Sequence, residues 1–178
     1  MKEEYVILVN EDDREIGQLE KLEAHRLGLL HRAFSIVLFN EKGELLLQQR
    51  AAHKYHSPLL WTNACCSHPR PDETVLDAAH RRLKEEMGME AKIHQGFHFI
   101  YKAKLDQGLT EHELDHVVFA YANQKPTINT SEVEAYKWID LAELIQDIEK
   151  YPHAYTAWFK ILMSQHLEAL SKAAYESV

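Results

Sequence analysis

The chain has 178 residues, 46% of them hydrophobic and 27% charged, which is enough to bury a sizeable core and predicts one globular domain over residues 1–178. A formal net charge of −8 argues against general affinity for nucleic acid or anionic membranes, while leaving room for a local basic pocket around a phosphorylated substrate. No apolar run approaches the roughly 20 residues that span a bilayer, and the charged start MKEEY leads into no signal-like apolar segment, so a cytoplasmic protein is expected.

Tyr5 to Val9 is a β-prone run closed by the polar turn at residues 10–13, and a second short segment, Ile16 to Leu19, leads toward a helix on which Lys21 and His25 share a face. His31 stands at the mouth of the next strand. Ala33 to Phe39 is nearly all apolar, as in a strand covered on both faces, and Glu41-Lys42-Gly43 turns it into Leu45 to Gln49 as a hairpin. Arg50 and Lys54 follow in a loop that Pro58 keeps irregular. Trp61 to Met89 then opens on an apolar segment ending in Cys65, Cys66 and His68, and passes through a Pro-bounded loop into a helix. Thr74 with Asp77 predicts its capping box, and Val75, Leu76, Ala79, Leu83 and Met87 its buried face.

Beyond Gly88, Phe97, Phe99, Tyr101 and Ala103 alternate with wetter residues as a strand does, and a second strand is predicted over Leu114 to Ala122. The segment between them sets Glu111 and Glu113 at alternate positions, on one side of an extended chain. A strand around Tyr136 to Ile139, a helix from the cap Asp140 to Lys150, and one long C-terminal helix from about Tyr155 carrying Trp158 complete the chain. Strands and helices interleave without a strict βαβ rhythm, which predicts an α/β fold: a mixed β-sheet sandwiched between α-helices.

Cys65 and Cys66 are the only cysteines and adjoin, a spacing that disfavours a relaxed disulfide and leaves a buried apolar thiol or a reactive one. Twelve histidines raise the prior for a metal site without locating it. Counting back from Gly88 gives Glu86, Glu85, Arg81 and Glu73, a pattern that resembles the Nudix superfamily. It departs from it at Ser67, where the first motif glycine would stand, and at Arg82, which replaces a carboxylate that holds magnesium in Nudix hydrolases.

The surroundings sharpen the resemblance. Lys21-x-x-x-His25, His31-Arg32-Ala33-Phe34-Ser35, Trp61-Thr62-Asn63-x-Cys65-Cys66-Ser67-His68-Pro69, Tyr101-Lys102-Ala103 and Glu111-His112-Glu113 together resemble the type I isopentenyl diphosphate isomerase family, from about Val6 to Trp158. That resemblance implies a Nudix-like domain whose extended N-terminal segment and C-terminal helix complete the active site. It implies that His25, His31, His68, Glu111 and Glu113 hold one divalent ion, and that zinc and manganese both suit the mixed set. It further implies magnesium bridging a substrate diphosphate to the Glu86 carboxylate and the Cys66 carbonyl.

Cys66 and Glu113 would then be the proton-transfer pair. Tyr101 would hydrogen-bond the catalytic Glu, and the Trp158 ring would stabilise a carbocation. Lys21, Arg50, Lys54 and Arg82 would clamp the diphosphate, and Trp61 would shape the pocket. The expected activity is interconversion of isopentenyl and dimethylallyl diphosphate in isoprenoid biosynthesis, by a monomer or weak homodimer acting on a small allylic or homoallylic diphosphate. Two competing readings are a Nudix diphosphate hydrolase, which Arg82 and Ser67 oppose, and a non-enzymatic phospholigand-binding module, which the presence of both Cys66 and Glu113 opposes.

Overall fold

The structure is a computed structural model and describes residues 4–176; the first three residues of the MKEEY start and the last two of the chain lie outside it. In chain order the strands are β1 (Tyr5–Val9), β2 (Glu15–Glu20), β3 (His31–Phe39), β4 (Leu45–Arg50), β5 (Trp61–Asn63), β6 (Cys65–Ser67), β7 (Lys92–Lys104), β8 (Thr110–Tyr121) and β9 (Val133–Ile139). The helices are α1 (Lys21–Leu27), α2 (Val75–Met87), α3 (Leu141–Lys150), α4 (Ala157–Gln165) and α5 (Leu167–Glu176).

β3 is the spine of a mixed sheet. It runs parallel to β8 from His31 opposite Glu113 to Phe39 opposite Tyr121, and antiparallel to β6 with Ser35 opposite Cys66. β7 pairs antiparallel with β8 and sets Tyr101 opposite Glu113, so Tyr101, Glu113 and His31 share one rung across three strands. Alternation along β3 sends Phe34, Ile36 and Leu38 into a core against Ala79, Leu83 and Met87 of α2. Val37 and Phe39 enter a second core with Phe159, Leu162 and Leu170 of the C-terminal helices. The sheet is therefore covered on both faces, as the unbroken apolar run predicts. The same period of two separates the cysteines: Cys65 joins the α2 core and Cys66 packs against the other.

The α2 boundaries follow from local chemistry. Thr74 Oγ1 accepts the Asp77 N–H at 3.1 Å and donates to Asp77 Oδ2 at 2.7 Å, and Gly88 closes the helix at φ 61°. A side chain at Gly88 is excluded twice over, because a Cβ there would lie 2.4 Å from the Thr127 carbonyl oxygen.

Four expectations are corrected. The β3–β4 hairpin opens after the single pair Phe39–Leu45, because β4 spends its edges on β5 and β9. β8 starts at Thr110, four residues before the expected strand, because Glu111 and Glu113 are buried within it, where a polar residue hides the apolar period. β9 starts at Val133, three residues earlier than expected. The single C-terminal helix is two, broken at His166 (φ −129°), whose ring packs 4.5 Å from Phe99 and 4.7 Å from Phe97 across β7.

Candidate active site

The helix α1 and the start of β3 bring His25 and His31 together as fully buried rings. His25 Nδ1 donates to the Lys21 carbonyl at 2.7 Å and His31 Nδ1 donates to the Leu29 carbonyl at 2.8 Å. Each ring is thereby fixed in the tautomer whose Nε2 carries a lone pair. His25 Nε2 is buried without a partner. His31 Nε2 lies 3.2 Å from His68 Nε2 and 3.4 Å from Glu113 Oε1, while His68 Nε2 lies 3.0 Å from the same oxygen. One donor atom from each of His25, His31, His68 and Glu113 falls within 4.8 Å of every other. An unpartnered buried His25 Nε2 lone pair beside ring nitrogens of His31 and His68 and a Glu113 oxygen fits a divalent ion with nitrogen and oxygen ligands.

Glu111 stands outside that group of four and reaches it through Tyr101, whose hydroxyl contacts Glu111 Oε2 at 3.0 Å and Glu113 Oε2 at 2.7 Å. Burial, reinforced by the neighbouring Glu113 charge, pushes Glu111 well above the usual carboxylate range. Burial would do the same to Glu113, but the contacts of its Oε1 with the His31 and His68 rings override it and hold the group well below that range.

Across β3 the surroundings of Cys66 are neutral. Its sulfur accepts the Trp158 indole N–H at 3.2 Å and donates to Asn63 Oδ1 at 3.0 Å. Burial pushes the thiol up to about 12, so Cys66 is protonated at neutral pH. Ser35 Oγ, 3.6 Å from the sulfur, donates to Asp115 Oδ2 at 2.8 Å. Burial, then the Glu113 charge, raises Asp115 to about 8.

Lys21, Arg50, Lys54, Arg82 and Glu86 line the same cavity as Cys66, Tyr101, Glu111, Glu113 and Trp158. Lys21 pairs with Glu4, Lys54 with Glu132, and Arg82 with Glu86 and, at 2.7 Å, with Glu85. Gln48 Nε2 fixes the other Glu86 oxygen at 2.8 Å. The Nε–H groups of Arg50 and Arg82 are buried without a partner, donors that an anion's oxygens would satisfy. Arg81, by contrast, is spent on a two-pronged bond to Glu73 at 2.6 and 2.8 Å.

Trp61 is the sequence candidate that does not join the site. It is absent from the cavity lining, and its ring lies under Lys137 Nζ, 4.7 Å from the centroid, while the next residue, Thr62, lines the cavity instead. Sequence reasoning missed Ser35, Gln48, Tyr55, His56, Thr62, Asn63 and Asp115. A signal existed for Gln48, a polar residue at the end of the apolar run Leu45-Leu46-Leu47, and for Asp115, a charge inside an apolar strand. His56 sits in an irregular loop and offered none, yet its ring stands edge-on to Trp158 at 5.7 Å, and burial, then the Arg50 charge, lowers its pKa to about 3.

Among solved structures, DR0079 from Deinococcus radiodurans superposes with a TM-score of 0.75 at 19% identity, covering 92% of this chain and 99% of that one. A MutT Nudix hydrolase from Burkholderia pseudomallei superposes at 0.60 and 20% identity, covering 77% and 98%; at such identities the likeness is one of fold. Much nearer in sequence are curated isopentenyl-diphosphate Delta-isomerases. Isomerase 1 of Aromatoleum aromaticum is 51% identical over 89% of each chain, and the isomerase of Pectobacterium atrosepticum is 48% identical over 90% of this chain and 89% of its own. With the Nudix domain model matching residues 29–159 as well, the chain belongs to the Nudix family and, within it, to the isopentenyl-diphosphate Delta-isomerases.

Proposed function

We propose that this chain interconverts isopentenyl and dimethylallyl diphosphate by adding a proton to one alkene carbon and removing another elsewhere, with Cys66 and Glu113 as the two proton-carrying groups. The observation that carries this reading is the sharing of one cavity by the Cys66 thiol and the Glu113 carboxylate, with the Tyr101 hydroxyl on the carboxylate and the Trp158 indole N–H on the thiol sulfur. Adding a proton to the terminal carbon of isopentenyl diphosphate leaves a tertiary carbocation, and loss of a proton from the neighbouring carbon gives the isomer. The reaction runs both ways, so each group is acid in one direction and base in the other. The Trp158 face stabilises the cation by up to about 2 kcal/mol without attacking it.

His25, His31, His68 and Glu113 would hold a divalent ion, zinc or manganese, with Glu111 completing the set. When bound, that ion supplies positive charge that holds Glu113 in place and tunes its basicity. Lys21, Arg50, Lys54 and Arg82 would orient the diphosphate, and the Glu86 carboxylate and Cys66 carbonyl would hold magnesium, which would supply charge to neutralise the diphosphate. Residues 1–178 would act as one catalytic domain, a cytoplasmic monomer or weak homodimer.

Proton NMR of isopentenyl diphosphate in deuterated water with magnesium, with phosphate release followed in the same tube, tests the reading. Dimethylallyl diphosphate carrying deuterium in its new methyl group, without released phosphate, is expected. Phosphate release without isomer would replace it by a hydrolase.

A further inference from the structure

Asn63 is fully buried, and both ends of its side-chain amide are spoken for. Its Nδ2 donates to the Ile36 carbonyl at 2.9 Å and to the Cys65 carbonyl at 3.0 Å. Exchanging the amide nitrogen and oxygen would set Oδ1 against two carbonyl oxygens, so the orientation is determined by its partners. Oδ1 must therefore face the other way, toward Thr62 Oγ1 at 3.0 Å and Cys66 Sγ at 3.0 Å. Thr62 in turn accepts from the hydroxyl of Thr156, fully buried at the cap of α4, at 3.1 Å. A carbonyl-type oxygen can only accept, so the atom it asks of Cys66 is the thiol hydrogen. The Trp158 indole N–H occupies the sulfur from another side, and the remaining acceptors near it, Ser35 Oγ and Thr62 Oγ1, stand farther off at 3.6 and 3.9 Å.

We propose that Asn63 is the positioning residue for the Cys66 thiol: the amide, locked by two backbone carbonyls, fixes the direction of the S–H bond, and the chain Thr156–Thr62–Asn63 ties that direction to the docking of α4. The inference rests on the proposed role of Cys66 and adds to it how the transferable proton is stored. The α4 helix then contributes twice, through Trp158 against the sulfur and through Thr156 at the far end of the chain that shares the thiol's acceptor. Asn63 does not line the cavity, so the lock sets the resting direction of the S–H bond and holds the sulfur in one orientation, and a side chain already held in place loses little entropy on the way to the transition state.

Raman spectroscopy of the S–H stretch, with the Cys66 band assigned by its loss in Cys66→Ala, reads the hydrogen bond directly. In the unaltered protein the band is expected at lower frequency than a free thiol; a band at the free position overturns the proposal. Asn63→Asp keeps the shape and loses both Nδ2 donors, so the band should move and kcat should fall about a hundredfold with KM within about threefold. A folded Asn63→Asp protein with kcat unchanged, or with its loss in KM, also overturns it. Should that variant not fold, Thr62→Val decides: Oδ1 then serves one donor instead of two, so the Cys66 band should shift further from the free position, and an unmoved band counts against Asn63. Isomerisation by Cys66→Ala tests the chemistry separately, because residual turnover there would remove Cys66 from the mechanism while the band still reports the Asn63 contact.

Discussion

The two flanks of β3 are built on opposite plans. Around the starts of β3 and β8, His25, His31, His68 and Glu113 turn possible ligand atoms toward one another and leave His25 Nε2 without a partner. On the β6 side, the Cys66 sulfur has a donor in Trp158 and an acceptor in Asn63, and Asn63 itself is satisfied at both ends. Missing partners mark a place prepared for a ligand, since an orphaned buried polar atom is costly until something binds it. Supplied partners mark a place prepared for direction. The site thus joins a flank that is unfinished without a cation to one that is finished by the chain alone.

The largest effect should come from breaking the finished flank. Cys66→Ala is expected to lower kcat for isomerisation on the order of 10³-fold, while calorimetric affinity for the diphosphate stays within about threefold because no clamp cation has changed. Turnover near the unaltered level would show that the oriented thiol is not a proton carrier.

The unfinished flank should respond in stability. A divalent ion present at about 100 times its Kd adds about 2.7 kcal/mol, which corresponds to about 5–10 °C in Tm for a chain of this size. Zinc or manganese should produce that rise in the unaltered protein and in Cys66→Ala, and most of it should vanish in His25→Ala. An equal rise in His25→Ala would place the ion elsewhere.

Acid should separate the flanks more gently. His68 and His56 are lowered by burial to about 4 and about 3, so they stay neutral in the folded state while the unfolded chain protonates near 6.5. The unfolded state then holds more protons below that pH, and their contribution to stability is lost as pH falls from 6.5 toward those values. Asp115, raised to about 8, works in the opposite sense across the same range, so the total slope is mixed. The difference between the unaltered protein and His56→Phe isolates one group: the urea midpoint should decline less steeply in the variant between about pH 7 and about pH 5. Identical declines would mean that His56 is not held neutral.

Much of this arrangement was legible in the sequence, and the exceptions share a cause. Period and punctuation located β3, α2 with its Thr74 and Gly88 ends, and α3, because in those elements most of the buried residues are apolar and the pattern is local. The start of β8 failed at Glu111 and Glu113, where burial is given to carboxylates. The break at His166 failed because it comes from rings on β7, more than sixty residues away in the chain. The family resemblance gathered His25, His31, His68 and Glu113, of which the rung joining β7, β8 and β3 sets His31 and Glu113 side by side. It included Asn63 and Ser35 in its motifs but gave them no role, because their importance lies in which atoms their hydrogens meet.

The smallest effect belongs to Trp61, and it tests how far the finished flank extends. Neighbours in a strand point to opposite sides, so the residue that reaches the cavity beside Cys66 is Thr62, while the Trp61 ring is covered by Lys137. Trp61→Phe should therefore leave kcat and KM within about twofold and weaken folding by about 0.5–1 kcal/mol through the lost contact with Lys137. Trp158→Phe makes the contrast, since it removes the N–H that bonds to the sulfur and the larger of the two ring faces, and its loss should fall on kcat. A Trp61→Phe variant with KM raised as much as tenfold would return that ring to the substrate pocket, and with it the view that the flank is shaped by bulk more than by hydrogen-bond direction.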